Sequence, residues 1–195
     1  MSADTTTRYQ TDVTAKSSTL PVTLGDAKLH LRVNSSVLDT HIQDLLAAAT
    51  EYCEDATSKS FRTSMTVTQS YPCWPCGKVL LDRQPVLSVT SVKYYDETGT
   101  LQTVATSDYR LHKSAAAVAY LEFDDEFSGP TYDARDNAVV IQYEAGYTTT
   151  DDVPARAKHA IKLVTEGYCY GGEVEKGNRD AVERLLDQIG SGTYR

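Results

Sequence analysis

Cys73-Trp74-Pro75-Cys76 is the sharpest candidate for chemistry in this chain, because a C-x-x-C pair can serve as a dithiol redox centre or as half of a zinc site. A thioredoxin-like centre needs its first cysteine at the start of a helix that follows a strand, where the helix dipole lowers the thiol pKa. Here Pro72, Pro75 and Gly77 predict a loop between strands. A zinc site needs two further ligands, and Cys53, Cys169, His30, His41, His112 and His159 include no second close pair. The reading is therefore a structural loop with reduced thiols. His159 reads as a surface or boundary residue of a helix. No glycine-rich phosphate loop, G-x-S-x-G, H-E-x-x-H or EF-hand pattern occurs. Asp124-Asp125-Glu126 and Asp151-Asp152 are acidic clusters that a solvated loop and a helix cap explain. No catalytic residue, cofactor or metal is expected, and the chain reads as a non-enzyme.

Composition points the same way. The formal net charge of −8 does not advertise a nucleic-acid partner, and an acidic surface would repel DNA passing along it. The first residues show no basic stretch followed by an apolar one, so no secretory signal is expected. No apolar run approaches the roughly 20 residues that span a bilayer. The expectation is a cytoplasmically made protein with no membrane partner, long enough to bury a core without metal or disulfide staples. Thirteen tyrosines against three phenylalanines suit either surfaces that become half-buried or ordinary strand positions.

The elements that must position these residues follow from periodicity. Residues 1–19 are rich in Thr, Ser and Lys with almost no large apolar side chains, which predicts a flexible arm whose deletion leaves thermal unfolding nearly unchanged. Thr23 is placed to cap a short helix with Leu24, Ala27 and Leu31 on one face. A second helix is expected from Asp39 to Ala56, with Ile42, Leu45, Leu46, Ala49, Tyr52, Cys53 and Ala56 inward and Gln43, Asp44, Glu51 and Glu54 outward. From Arg62 to Tyr147 the period changes to two, predicting strands near 62–71, 78–82, 86–96, 100–105, 109–112, 118–123 and 138–146. Asp96-Glu97-Thr98-Gly99 is a hairpin turn signal, and residues 124–137 read as a polar loop. Helical spacing returns after Thr150, with Ala157, Ala160, Ile161, Val164 and Tyr168 on one face up to Tyr170, and again from Arg179 to Ile189. Residues 191–195 read as a mobile tail. The predicted class is α+β: a small antiparallel helical bundle built from 20–60 and 148–190, with 61–147 as an inserted antiparallel β-rich region.

The order of several phrases adds to this. Pro21-Val22-Thr23-Leu24, Ala27-Lys28 and His30-Leu31-Arg32-Val33, followed by Asp39, Ile42, Leu45-Leu46-Ala47-Ala48-Ala49 and Tyr52-Cys53-Glu54, resemble the opening of the head-tail connector (adaptor) family of tailed phages and prophages. Leu81-Asp82-Arg83-Gln84-Pro85 with Ser88-Val89, Ser91-Val92 and Tyr94 resembles that family's central strand pair, and Val139 to Tyr147 followed by Val153-Pro154-Ala155 and Ala160-Ile161 resembles its later segment. The likeness runs over roughly residues 20 to 190. Three features depart from it: the exit of the second helix reads Thr57-Ser58-Lys59 where the family has a glycine, the Cys73–Cys76 stretch is no family hallmark, and the third helix ends Gly167-Tyr168-Cys169-Tyr170.

The resemblance implies a structural virion protein. Its copies, commonly twelve, would ring the portal protein, continue the DNA channel without sequence-specific binding, and present a surface to the next neck or tail-completion (stopper) protein. It implies heterologous contacts between identical subunits. Tyr168, Tyr170, Tyr194 and Arg195 are the expected portal or partner contacts, and Asp124, Asp125 and Tyr132 the expected subunit contacts. The alternatives are another neck, tail-completion or assembly protein, and, from a different class, a dithiol redox or zinc protein using Cys73 and Cys76.

Overall fold

A computed structural model describes residues 9–114, 117–124, 127, 129–170 and 176–190. The chain divides into two compact units, Met1–Lys16 with Met65–Ala145, and Ser17–Ser64 with Gly146–Arg195. The first is made of antiparallel strands and the second of helices, an α+β composition.

The helical unit contains α1 (Leu24–Leu31), α2 (Asp39–Thr57), α3 (Ala155–Cys169) and α4 (Lys176–Gly190). Thr23 begins α1 as expected, its hydroxyl oxygen accepting from the Asp26 amide at 3.1 Å. All four helices feed one core: Ala27 and Leu31, then Ile42, Leu46, Ala49 and Cys53, then Ala157, Ala160, Ile161 and Val164, then Val182, Leu186 and Ile189. Four assignments within α2 and α3 are corrected. Tyr52 and Ala56 are exposed and Tyr168 is 37% exposed, whereas Glu54 is only 1% exposed. At about 3.6 residues per turn, the buried arc of α2 centres on Ile42, Leu46, Ala49 and Cys53 and extends toward Thr50, Glu54 and Thr57, leaving Tyr52 and Ala56 past its other edge.

Helix α2 ends on Ser58, which holds the left-handed conformation at φ 52° while its amide and that of Lys59 donate to the Asp55 and Glu54 carbonyls. That is the position where the resembled family has glycine. A side chain with a Cβ is disfavoured there by about 1–2 kcal/mol, part of which glycine gives back through greater freedom in the unfolded chain. Ser58→Gly is therefore expected to raise stability by about 0.5–1 kcal/mol, read as a higher denaturant midpoint with an unchanged slope.

The strand unit holds a five-stranded sheet in the order β1-β2-β8-β4-β5 and a three-stranded sheet in the order β3-β7-β6. The strands are β1 (Gln10–Lys16), β2 (Met65–Tyr71), β3 (Lys78–Leu80), β4 (Val86–Tyr95), β5 (Leu101–Thr103), β6 (Tyr109–Ser114), β7 (Ala117–Phe123) and β8 (Val139–Ala145). Burial alternates along β8, where Val139, Ile141, Tyr143 and Ala145 face inward, the period-two pattern its sequence shows. The two sheets are joined by buried amides. Gln69 Nε2 donates to the Leu80 carbonyl at 3.3 Å and its oxygen accepts from the Asp82 amide at 3.2 Å, while Gln84 exchanges hydrogen bonds with the backbone of Ala119. The Gln84-Pro85 bond is cis.

β1 corrects the flexible-arm expectation for residues 10–16. Its backbone pairs with β2 from Gln10↔Ser70 to Lys16↔Met65, and Tyr9 and Thr11 donate hydroxyl hydrogen bonds to the Asp82 carboxylate. Burial within β1 is slight, as the composition indicated; the ladder and Asp82 supply the order instead. Residues 1–8 of that expected arm, and 191–195 of the expected tail, lie outside the described residues. Because β1 is paired, deleting residues 1–19 is now expected to cost the sheet unit about 2 kcal/mol, a lost ladder partly offset by renewed hydration of β2. An unchanged thermal midpoint would contradict the pairing.

The β4-β5 hairpin turns where Asp96-Glu97-Thr98-Gly99 predicts it, with Lys93↔Thr103 and Tyr95↔Leu101 in register. The Asp96 carboxylate accepts from the Thr98 hydroxyl at 2.6 Å, Gln102 Nε2 at 2.8 Å and the Thr100 and Thr98 amides at 3.0 Å. These donors, the Thr98 hydroxyl foremost, pull its pKa from 3.8 down to about 2. A depressed carboxylate stabilises the fold above its unfolded pKa and loses that contribution as the pH falls through the folded one. The turn is therefore expected to weaken between pH 3.8 and about 2, and Asp96→Asn to abolish that acid step in a carboxyl NMR titration and in acid unfolding.

Candidate interaction surfaces

The Cys73–Cys76 loop joins β2 to β3, as its prolines indicate, and its centre of gravity is the tryptophan. Trp74 lies 5.4 Å from the ring of Tyr94, 5.9 Å from Phe123 and 5.3 Å from Phe127, the two phenylalanines stacking at 4.8 Å. Its indole N–H donates to the Pro130 carbonyl at 2.8 Å. Gly129 passes so close that a Cβ there would meet the indole at 2.6 Å, so Gly129-Pro130 is shaped around this ring. Cys73 is half-buried, Cys76 is exposed, and all four cysteines are free thiols. Among the described residues, no three His, Cys, Asp or Glu side chains gather where they could hold a metal ion. Cys53, inside the helical core, has its thiol pushed up to about 12, by burial first and by the neighbouring Glu54 second.

Glu54 and Arg62 form the buried ionic node of the helical unit. Glu54 accepts from the Phe61 amide at 2.9 Å and from Arg62 Nε at 3.3 Å, and Arg62 also donates to the Ser17 carbonyl at 3.0 Å. The Arg62 carbonyl accepts from the Tyr147 amide at 3.0 Å. Gly146 sits beside this bond at φ +137°, where a Cβ would lie 2.5 Å from the Arg62 carbonyl oxygen. Backbone proximity thus explains the glycine of Ala145-Gly146-Tyr147. The node ties α2, the segment that follows it, the chain before α1 and the chain entering α3 into one framework.

On that framework the expected contact residues separate. Tyr168, near the end of α3, is 37% exposed, and burial, then Tyr52 and Cys53, raise its phenol pKa. Tyr170 is 66% exposed, yet its hydroxyl donates to the Leu31 carbonyl at 2.9 Å and so closes the end of α1. Asp124, in the strand unit, pairs with Arg110 at 3.2 Å, and Tyr132 is half-buried. Asp125, Tyr194 and Arg195 lie outside the described residues. His159 is exposed, as its sequence setting indicates, and stands edge-on to His30, whose Nε2 is 3.2 Å from a Glu166 carboxylate oxygen. Sequence reading missed Leu29 and Val37, which are 79% and 86% exposed. Leu29 carries a signal for this, since it falls outside the Leu24, Ala27, Leu31 spacing of α1.

No protein-family model and no curated protein matches the chain. Solved structures do. A chain in a structure described as the neck of an empty gene transfer agent (GTA) particle, computed with C6 symmetry, superposes with a TM-score of 0.77 at 21% identity, over 95% of this chain and 96% of that one. This chain has the fold of a gene-transfer-agent neck chain. Further matches come from the virion of the native GTA particle (TM-score 0.74, 21% identity) and from the neck of the native particle computed with C12 symmetry (TM-score 0.71, 22% identity), each over 95% of this chain and 96% of the other. The fold shared with the GTA neck includes both units, since a match this complete leaves room for neither to be missing.

Proposed function

We propose that this chain is a structural, non-catalytic virion protein of a tailed-phage-like particle, a head-tail connector that sits in the neck between capsid and tail. Copies close into a ring beneath the portal protein, extend the DNA channel and offer the attachment surface for the downstream neck or tail-completion protein. The observation that carries this reading is the full-length likeness to GTA neck chains, joined to the phrase order that resembles the connector family. The C12 symmetry of one matched neck supports twelve copies. Each contact with the portal is modest by itself, and linkage in a ring raises the effective concentration of all the others, so the assembled ring is hard to dislodge. A net charge of −8 suits a conduit that DNA slides past without sequence-specific binding, and the role requires neither cofactor nor membrane.

Within this reading the four helices act as an antiparallel bundle. Tyr168, Tyr170, Tyr194 and Arg195 reach the portal or the next partner, and Asp124, Asp125 and Tyr132 meet a neighbouring subunit. Electron microscopy of particles containing this chain tests the proposal. Density for a ring of this fold directly under the portal is the expected result. The same density placed further along the neck would assign a tail-completion role, and its absence from the particle would overturn the virion reading.

A further inference from the structure

The strand unit is made from two separate stretches of chain. Residues 65–145 supply β2 to β8 as one continuous run, while β1 arrives from the far side of the helical stretch Ser17–Ser64. Detaching β1 would disturb the core little. Of its seven residues only Thr11 and Val13 are half-buried, and Val13 packs against the buried strand cluster. What holds β1 is the ladder from Gln10↔Ser70 to Lys16↔Met65, together with the Tyr9 and Thr11 hydroxyls, which donate to different oxygens of the Asp82 carboxylate. Ser17 prolongs the pairing, its amide donating to the Ser64 carbonyl at 2.8 Å. Exposed Ser18 and Thr19 follow, then half-buried Leu20 and buried Pro21.

We propose that β1 is exchanged between copies in the assembled ring: residues 9–17 of one subunit pair with β2 of the next, and every subunit both gives and receives a strand. This rests on the ring reading above. The occupant of the β2 edge is a second copy's β1 because the same sequence arriving from a neighbour reproduces every ladder bond and both hydroxyl contacts with Asp82. A strand of another sequence would match the ladder but would not bring a hydroxyl to each Asp82 oxygen. In a free chain the link through Ser18, Thr19 and Leu20 keeps β1 at high effective concentration beside its own β2, so pairing within the chain prevails. Once subunits are held side by side, the neighbour's β2 competes on similar terms, and exchange joins the copies with no loss of pairing. From Ser17 to Pro21 the link extends at most about 14 Å, which confines the exchange to adjoining subunits. The strand given and the edge that receives one are different surfaces, so the contact is heterologous and has the polarity that closes a ring.

The test uses the full chain carrying Cys73→Ser and Cys76→Ser, with Asp12→Cys and Thr68→Cys added either together in one chain or separately in two. Asp12 and Thr68 are partners across β1 and β2, and directly opposite Cβ atoms lie about 5 Å apart, within reach of a short bis-thiol crosslinker. Each variant is confirmed as folded by its thermal unfolding, and the parent without added cysteines sets the background. Crosslinked chains are then counted on denaturing gels, from purified protein and from particles. The purified double variant is expected to link within one chain, and the same variant in particles to give a ladder of linked chains. Particles assembled from equal amounts of the two single variants should carry a link at about a quarter of their junctions, the frequency at which chance brings the two substituted strands together. Links between chains above background, in particles of either kind, support the exchange. Their absence from both would overturn it and leave the connector reading standing. A wild-type chain absent from the particle would refute the connector reading itself.

Discussion

Replacing Glu54 with alanine is expected to destabilise the helical unit by about 3–5 kcal/mol. The side chain is 1% exposed, so its removal does not simply return a carboxylate to water. It leaves the Arg62 guanidinium, itself only 6% exposed, without its closest counter-charge, and it leaves the buried Phe61 amide without the acceptor at 2.9 Å. Glu51, 3.7 Å from Arg62, is 52% exposed and too well screened to compensate. Glu54→Gln should cost less, because an amide oxygen can still accept from Phe61 while the charge is lost. Denaturant unfolding of the two variants checks this: the alanine variant should show the lower midpoint, and equal midpoints would mean that charge, and not the Phe61 hydrogen bond, carries the whole effect. A wild-type midpoint for both would show that the node contributes nothing.

The second large effect is expected at Trp74. Trp74→Ala should lose about 3 kcal/mol, removing the ring at the middle of the Tyr94, Phe123 and Phe127 cluster and leaving the Pro130 carbonyl without its donor. Cys73→Ser with Cys76→Ser should stay within about 0.5 kcal/mol of the parent and assemble normally, since neither thiol is deeply buried and both changes keep the loop's shape. Thermal unfolding and particle yield measured together separate the two uses of this loop. If the serine variant folds as the parent does but yields no infectious or DNA-carrying particles, the thiols carry function and the dithiol reading returns. If only Trp74→Ala fails, the motif is a packing device that happens to be flanked by cysteines.

Much of the architecture is legible in residue order. Helical spacing from Ile42 to Cys53 and from Ala157 to Val164, alternation from Val139 to Ala145, the Thr23 cap and the Asp96 turn each express a constraint that acts within a few residues, and each element formed where that constraint placed it. The glycine of Ala145-Gly146-Tyr147 is visible in the sequence, but its cause is not, since the carbonyl that excludes a side chain belongs to Arg62.

The candidate surfaces were legible only as composition. That α2 is acidic can be read directly from the chain, whereas which carboxylates face outward depends on where the core arc falls. Glu54 and Asp55 are adjacent and chemically alike, yet one is buried against Arg62 and the other is exposed. Likewise, the polar Gln10–Lys16 segment has too little apolar surface to announce order, and becomes a strand because β2 offers a free ladder edge and Asp82 offers an acceptor. Local sequence determined which elements form, because backbone geometry is set by near neighbours; tertiary structure alone decided which polar groups are buried and paired, because their partners come from distant parts of the chain and only folding brings them within hydrogen-bonding reach.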